Sequence, residues 1–392
     1  MRYQVRRVIA DGGMGRVYEA LDTHHKDRVA VKVLHPDVAG DDVAVERFRR
    51  EFNVSALLPH DHIVVVKDFR ETEDKTFALV MEFLDGEELR NVLKREKRLA
   101  PERVVRMLAQ VAIGLDEAHR RELIHRDLKP DNLFLCGTRE GDIVKILDFG
   151  SVKDKSQLAK KLTVVGTTIG SPFYMPPEQA QGLDTINARA DVWALAAITY
   201  ECVTGTVPFH GVNGPSILLA ILTQEPLPPT VAGKGGPIVI PPALDDVMEV
   251  ALAKNPNIRT RAVGVLADEV GHAYGLSGTH LEWAYTPQAV LKERIRADLV
   301  RLVEERPIAD LGAMPDPFAA PGPARPAPAT PMAQPKAPEM RGSHGQDRPP
   351  EAPSDEIPMG VPKGPPRWLV PAIVGVLAVI AGAIGTVLLL AK

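Results

Sequence analysis

Apolar and polar positions fall into two regimes along this chain. Near the start, Val5, Val8 and Val17 predict short strands on either side of a glycine-rich loop, and residues 28–34, RVAVKVL, alternate as a half-buried strand does. Residues 41–58 carry a helical repeat, and residues 63–69 and 76–81 predict two more strands. After Gly86 helical spacing takes over. Helices are predicted over 101–117 and 191–203, with a strand over 143–147 between them. Leu291, Ile295, Leu299, Leu302 and Val303 then share one helical face among Lys292, Glu293, Arg294 and Arg301. The expectation is an α+β protein of two lobes: a strand-rich small lobe over 1–84, a helix-rich large lobe over 85–275, and a helical extension over 276–305.

Composition changes the picture beyond that point. Residues 307–367 hold 17 prolines and few large apolar side chains. Such a stretch cannot bury enough surface to offset its ordering entropy, so 306–367 reads as a linker. Residues 369–391 carry no charge. As a helix they reach about 34 Å, enough for a hydrocarbon layer of about 30 Å. A transmembrane helix over 368–391 is expected. Lys363 and Arg367 precede it, which places the N-terminal part in the cytoplasm by the positive-inside tendency. Ala378 with Gly382, and Ala381 with Gly385, are small-xxx-small pairs that suit a homodimer through the lipid bilayer.

Charge and cysteine usage exclude some classes. The formal net charge of −4 over 392 residues lacks the basic excess of a nucleic-acid binder. Cys136 and Cys202 are the only cysteines, with no CxxC pair to hold a metal. An apolar and charged balance of 45% and 25% is ordinary for a protein with a real core.

The candidate chemistry lies in three clusters. The loop at 10–17, ADGGMGRV, has glycines that let a backbone approach phosphate oxygens closely, although a glycine-rich hairpin also fits a plain turn. Lys32 stands in the apolar strand 28–34; it fits either a solvated position or a phosphate contact held by a carboxylate, for which Glu51 is the candidate. The stretch 125–132, HRDLKPDN, gathers a carboxylate, an ammonium and an amide in one loop. Asp127 can take a proton from an alcohol, Lys129 can neutralise a transferring phosphoryl group, and Asn132 offers an oxygen to a hard cation. Asp148, at the head of the triplet DFG at 148–150, supplies a second oxygen ligand.

Taken with the triplet PPE at 176–178, these motifs stand in the order of the eukaryotic-type (Hanks-type) serine/threonine protein kinases, and residues 1–272 resemble that family, its bacterial members most of all. The resemblance implies a bilobal protein-kinase fold and an enzyme that uses ATP with Mg²⁺, or Mn²⁺, to phosphorylate serine and threonine of protein substrates. It implies that Ala10, Gly12, Gly13 and Gly15 cover the phosphates. Lys32 would bind the α- and β-phosphates, with Glu51 as its ion-pair partner and Glu46 as the nearest competitor. Val17, Ala30 and Phe134 would sandwich the adenine beside Met81, with Glu82 to Leu84 as the hinge. Asp127 would be the catalytic base, Lys129 a γ-phosphate contact, and Asn132 and Asp148 the metal ligands. Arg126 resembles that of kinases controlled by phosphorylation of the activation loop, where Thr163, Thr167 and Thr168 are the available acceptors. Ser171 stands where a threonine usually contacts the base. Glu178 with Arg259, and Asp191 under the catalytic loop, match scaffold positions. Ala10 departs from the family's first loop glycine and Pro176 from its usual alanine. A pseudokinase that only scaffolds partners is the alternative; such proteins have typically lost the lysine, the base or the metal aspartate, and all three are present here.

Overall fold

Strand alternation sets which side chains face the cleft and which face away. The structure, a computed structural model, describes residues 2–13, 15–149 and 172–305, all within one compact unit. Strands β1 (Tyr3–Asp11), β2 (Gly15–Asp22), β3 (Asp27–Leu34), β4 (Val66–Glu71) and β5 (Phe77–Glu82) form an antiparallel sheet in the order β1-β2-β3-β5-β4. Along β3, Val29 and Val31 pack with Ala20, Ala78 and Val80 on one face. The other set, Ala30, Lys32 and Leu34, faces the opposite way, as a period of two requires. Opposite neighbours share a face, so Val17 and Leu79 flank Lys32, and Met81 flanks Ala30.

A short helix α1 (Pro36–Ala39) leads into α2 (Asp42–Leu57). The Asp41 carboxylate caps α2 by accepting the Val43 N–H at 2.9 Å. Phe48 on α2 joins Leu34, Val66 and Leu79 in a core that seats the helix on the sheet.

The larger lobe contains β6 (Glu87–Glu88), α3 (Leu89–Glu96), α4 (Pro101–Arg120), a 3₁₀ turn (Pro130–Asn132), β7 (Leu133–Thr138) and β8 (Gly141–Ile146). After the segment outside the described residues come α5 (Pro177–Ala180), α6 (Arg189–Thr204), α7 (Gly214–Thr223), α8 (Pro229–Ala232), α9 (Ala243–Ala251), α10 (Val263–Ala273), α11 (His280–Trp283) and α12 (Gln288–Glu305). Strands β6, β7 and β8 make a second small sheet. Helix α6 is buried on nearly every side, which explains why its sequence is apolar all round and not amphipathic. It stops at Gly205, whose left-handed φ of 79° suits a residue without Cβ.

Two expectations are corrected. The strand over 63–69 begins only at Val66. Ile63 instead makes a parallel bridge to Ile146 of β8, the His62 carbonyl accepts the Ile146 N–H at 2.8 Å, and the Val64 N–H donates to the Ile146 carbonyl at 3.0 Å. An extended apolar pattern says nothing about which strand it will pair with, and here it straps the end of α2 to the sheet of the larger lobe. The segment beyond 275 is also no separate extension: Leu276, Trp283, Leu291 and Ile295 lie in the same core as α4 and α6. The linker at 306–367 and the apolar run at 369–391 lie outside the described residues. Among the described residues no helix is long and apolar enough to cross a membrane.

Candidate active site

The glycine loop joins β1 to β2. The Gly12 N–H donates to the Gly15 carbonyl at 3.1 Å, and Asp11 pairs with Arg16 at 2.6 Å, so the loop folds back on itself. Gly13 lies at its tip, Met14 lies outside the described residues, and Ala10 sits opposite Val17 in the strand register. A Cβ on Gly15 would overlap the Val33 carbonyl of β3, whereas Gly12 and Gly13 have room for one. Gly15 is therefore required by the sheet itself, whatever binds above it.

Lys32 Nζ lies 3.0 Å from Glu51 Oε2, so the strand lysine and the helix carboxylate meet. Glu46 points elsewhere and pairs at 3.8 Å with Arg50. Burial alone would push the Lys32 ammonium down, but the carboxylates of Glu51 and Asp148 outweigh it and hold its pKa above the usual value.

Asp127, Lys129 and Asn132 converge on the catalytic-loop stretch. Lys129 Nζ donates to Asp127 Oδ2 at 2.8 Å, and Asn132 Nδ2 donates to the Asp127 carbonyl at 2.7 Å. Arg126 and Asp148 both adopt left-handed backbone, at φ 66° and 56°. Such a conformation costs about 1 kcal/mol or more and persists only where surroundings impose it. Asp191, fully buried at the start of α6, accepts the N–H groups of His125 and Arg126 at 2.9 Å each and contacts His119 Nε2 at 2.7 Å. Burial works against its charge, yet His119 and the backbone donors hold its carboxyl below the usual range. Asp148 is set by its neighbours: the Leu147 N–H donates to the Asn132 carbonyl at 2.9 Å, and the buried Phe149 ring packs edge-on against His125 at 4.8 Å. Lower down, Arg259 grips Glu178 through two bonds of 2.8 and 2.9 Å.

One participant is absent from the sequence reading. Arg47, one turn before Glu51 on α2, places Nη2 3.1 Å from Asp148 Oδ2 and 3.6 Å from Asp127 Oδ2. The helical offset of four from Glu51 is a signal that puts it on the same face.

The residues expected around an adenine fall on strands of the two sheets. Val17, Ala30 and Met81 share the cleft face of the upper sheet, and Phe134 lies on β7 below. In the hinge, the Glu82 N–H already donates to the Val65 carbonyl at 2.9 Å. Its carboxylate accepts from Val65 N–H and Lys145 Nζ at 2.9 and 2.8 Å, so that N–H is not available to a ligand. Leu84 follows after Phe83. Beside Asp127 and Lys129 opens a cavity of about 490 Å³, walled by Phe173, Tyr174, Glu201 and Arg90. Gly150, Thr163, Thr167, Thr168 and Ser171 lie outside the described residues.

The donor set suits a hard cation. The Asn132 amide spends its Nδ2 on a backbone carbonyl, which leaves its Oδ1 as an acceptor, and Asp148 supplies a carboxylate. Among the described residues no three or more of His, Cys, Asp and Glu are grouped to hold a metal alone. Two oxygen ligands with room for water and phosphate oxygens are the habit of Mg²⁺.

A β lobe over a helical lobe, with a lysine–glutamate pair above and a carboxylate loop below, defines a protein kinase. Residues 3–270 match the protein kinase domain family, and the chain belongs to it. It is 40% identical over 273 residues to the serine/threonine-protein kinase PknA of Mycobacterium tuberculosis, covering 69% of this chain and 60% of that protein. To the serine/threonine-protein kinase pkn3 of Myxococcus xanthus it is 36% identical over 300 residues, covering 76% and 51%. The chain thus spans somewhat over half the length of these relatives. Among solved structures, the PknI kinase domain of Mycobacterium tuberculosis matches with a TM-score of 0.52 at 28% identity, over 69% of this chain and 96% of that one.

Proposed function

We propose that this chain is a protein serine/threonine kinase that transfers the γ-phosphoryl group of ATP to hydroxyls of protein substrates. The observation that carries the reading is Asp127: a half-exposed carboxylate, bonded to Lys129 and open to the cavity walled by Phe173 and Tyr174. A substrate chain lying in that cavity presents its hydroxyl to Asp127. The carboxylate orients the O–H and takes its proton as the oxygen bonds to the γ-phosphorus and the bond to ADP breaks. Lys129 neutralises the equatorial oxygens of the group in flight. Lys32, fixed by Glu51, holds the α- and β-phosphates under the Gly12, Gly13 and Gly15 loop, while Val17, Ala30, Met81 and Phe134 enclose the adenine. Asn132 and Asp148 would hold Mg²⁺, which when bound screens the charge of the β- and γ-phosphates.

The relatives named as serine/threonine kinases support the substrate class. The finer reading rests on the sequence: phosphorylation of its own Thr163, Thr167 or Thr168, and a membrane anchor at 369–391 that keeps the catalytic lobes in the cytoplasm and favours a homodimer. The test uses the full-length chain with Mg²⁺, radiolabelled ATP and a generic basic protein. Label should pass to serine and threonine, and Asp127→Asn should slow it by about 10²–10⁴-fold. A parent as silent as the variant would leave only the scaffold.

A further inference from the structure

A cation of the protein itself lies against the carboxylates read as metal ligand and base. Arg47 is almost fully buried, with a side chain only 9% exposed, and its Nη2 touches Asp148 Oδ2 at 3.1 Å and lies 3.6 Å from Asp127 Oδ2. No other described cation contacts both carboxylates. Around it the charges balance: Lys32, Arg47 and Lys129 are each within 3.1 Å of Glu51, Asp148 or Asp127. A divalent ion that takes Asp148 as a ligand competes with this guanidinium for the same oxygen, and two cations a few ångströms apart repel.

We propose that Arg47 is a resident counter-cation that sets the divalent-metal affinity of the cleft, releasing Asp148 when the metal enters. This rests on the reading of Asp148 as a metal ligand. Its location gives the competition a reach beyond one side chain. Arg47 and Glu51 are one turn apart on α2, so the helix that supplies the Lys32 partner also carries the group that resists the metal. By linkage, whatever shifts α2 away from the lower lobe eases metal entry, and metal entry biases α2 in the same direction.

The experiment is a titration of the full-length chain with Mn²⁺ alone, free metal being read by its electron paramagnetic resonance signal without nucleotide. Arg47→Gln should bind Mn²⁺ about 5-fold or more tightly than the parent, the lower end of ordinary coupling between two sites. Arg47→Lys, which keeps the charge but reaches less far, should fall between them. Melting temperature with chelator and with Mn²⁺ gives a second reading: the rise on adding Mn²⁺ should be larger in Arg47→Gln. Arg49→Gln, whose guanidinium lies 5.7 Å over the Phe69 ring, should leave both unchanged. Equal or weaker Mn²⁺ binding by Arg47→Gln overturns the proposal. Asp148→Asn separates that failure from failure of the metal reading. Loss of Mn²⁺ binding there with no gain in Arg47→Gln sinks the counter-cation alone, whereas Mn²⁺ binding that survives Asp148→Asn removes the ligand and the proposal with it.

Discussion

Asp191 shows how a residue far from any substrate decides the shape of the site. It is fully buried and spends both carboxylate oxygens on His125 N–H, Arg126 N–H and His119. Asparagine has one acceptor oxygen in place of two. Asp191→Asn should therefore leave a buried donor unpaired, at a cost of about 1–3 kcal/mol, and loosen the left-handed Arg126 next to Asp127. The urea midpoint should fall with an unchanged slope, and phosphoryl transfer should fall with it. An unmoved midpoint would mean that the three donors find other partners. At this scale much was legible. Glu51 on the following helix is the candidate partner of Lys32, as the family resemblance also implies, and the two meet at 3.0 Å. Arg47 was not legible, because it opens a run with Arg49 and Arg50 that reads as a solvated helix face. Only its offset of four from Glu51 distinguishes it. Gly15 has a second reason to lack a Cβ that the motif does not reveal, the close approach of Val33 on the neighbouring strand.

Elements carry the next tier of stability. Helix α6 stacks Trp193 on Phe209, with centroids 5.4 Å apart, and Lys254 lies with Nζ 3.8 Å from the Phe209 ring centroid. That Nζ is buried without a hydrogen-bond partner among the described residues, and burial pulls its pKa down to about 8 from 10.5. The sign follows from proton counting. Between about pH 8 and 10.5 the unfolded chain holds more protons than the native one, so stability rises with pH across that window. Below it the native state bears the full desolvation cost of the buried ammonium. Lys254→Met should therefore be the more stable protein at pH 7, with the gap narrowing toward pH 10.5 in denaturant titrations. A gap that does not change with pH would show that the lysine is not the source. Alternation and helical spacing located β3, α2, α4 and α6 in the sequence because each buries one face or all faces. The stretch at 63–65 misled because pairing partners are a tertiary matter: its backbone bonds go to Ile146 of β8 and not to the upper sheet.

At the scale of the whole molecule, the catalytic lobe does not end where its motifs do. Trp283 is fully buried and fills the space over Gly271, where even a Cβ would overlap the indole. Leu276, Leu291 and Ile295 complete the same core. A chain cut after residue 275 should lose several such burials, each worth about 1.5–3 kcal/mol, and should melt well below a chain cut after 305. Equal melting temperatures would show that the last two helices are dispensable. The two-lobe division was legible from the change in periodicity near Gly86. The integration of residues 276–305 was not, since a helical repeat reveals an apolar face but not the surface that covers it.

The proposed function has Lys32, Asp127, Lys129, Asn132 and Asp148 acting on a single nucleotide in one cleft. The most direct test is to measure ATP affinity and single-turnover phosphoryl transfer side by side in the full-length parent and Asp127→Asn. With Asp127 in its proposed role at the hydroxyl proton and away from the nucleotide, the variant should bind ATP within a few-fold of the parent while transfer falls by about 10²–10⁴-fold. Transfer that proceeds at the parental rate without the Asp127 carboxylate would contradict it.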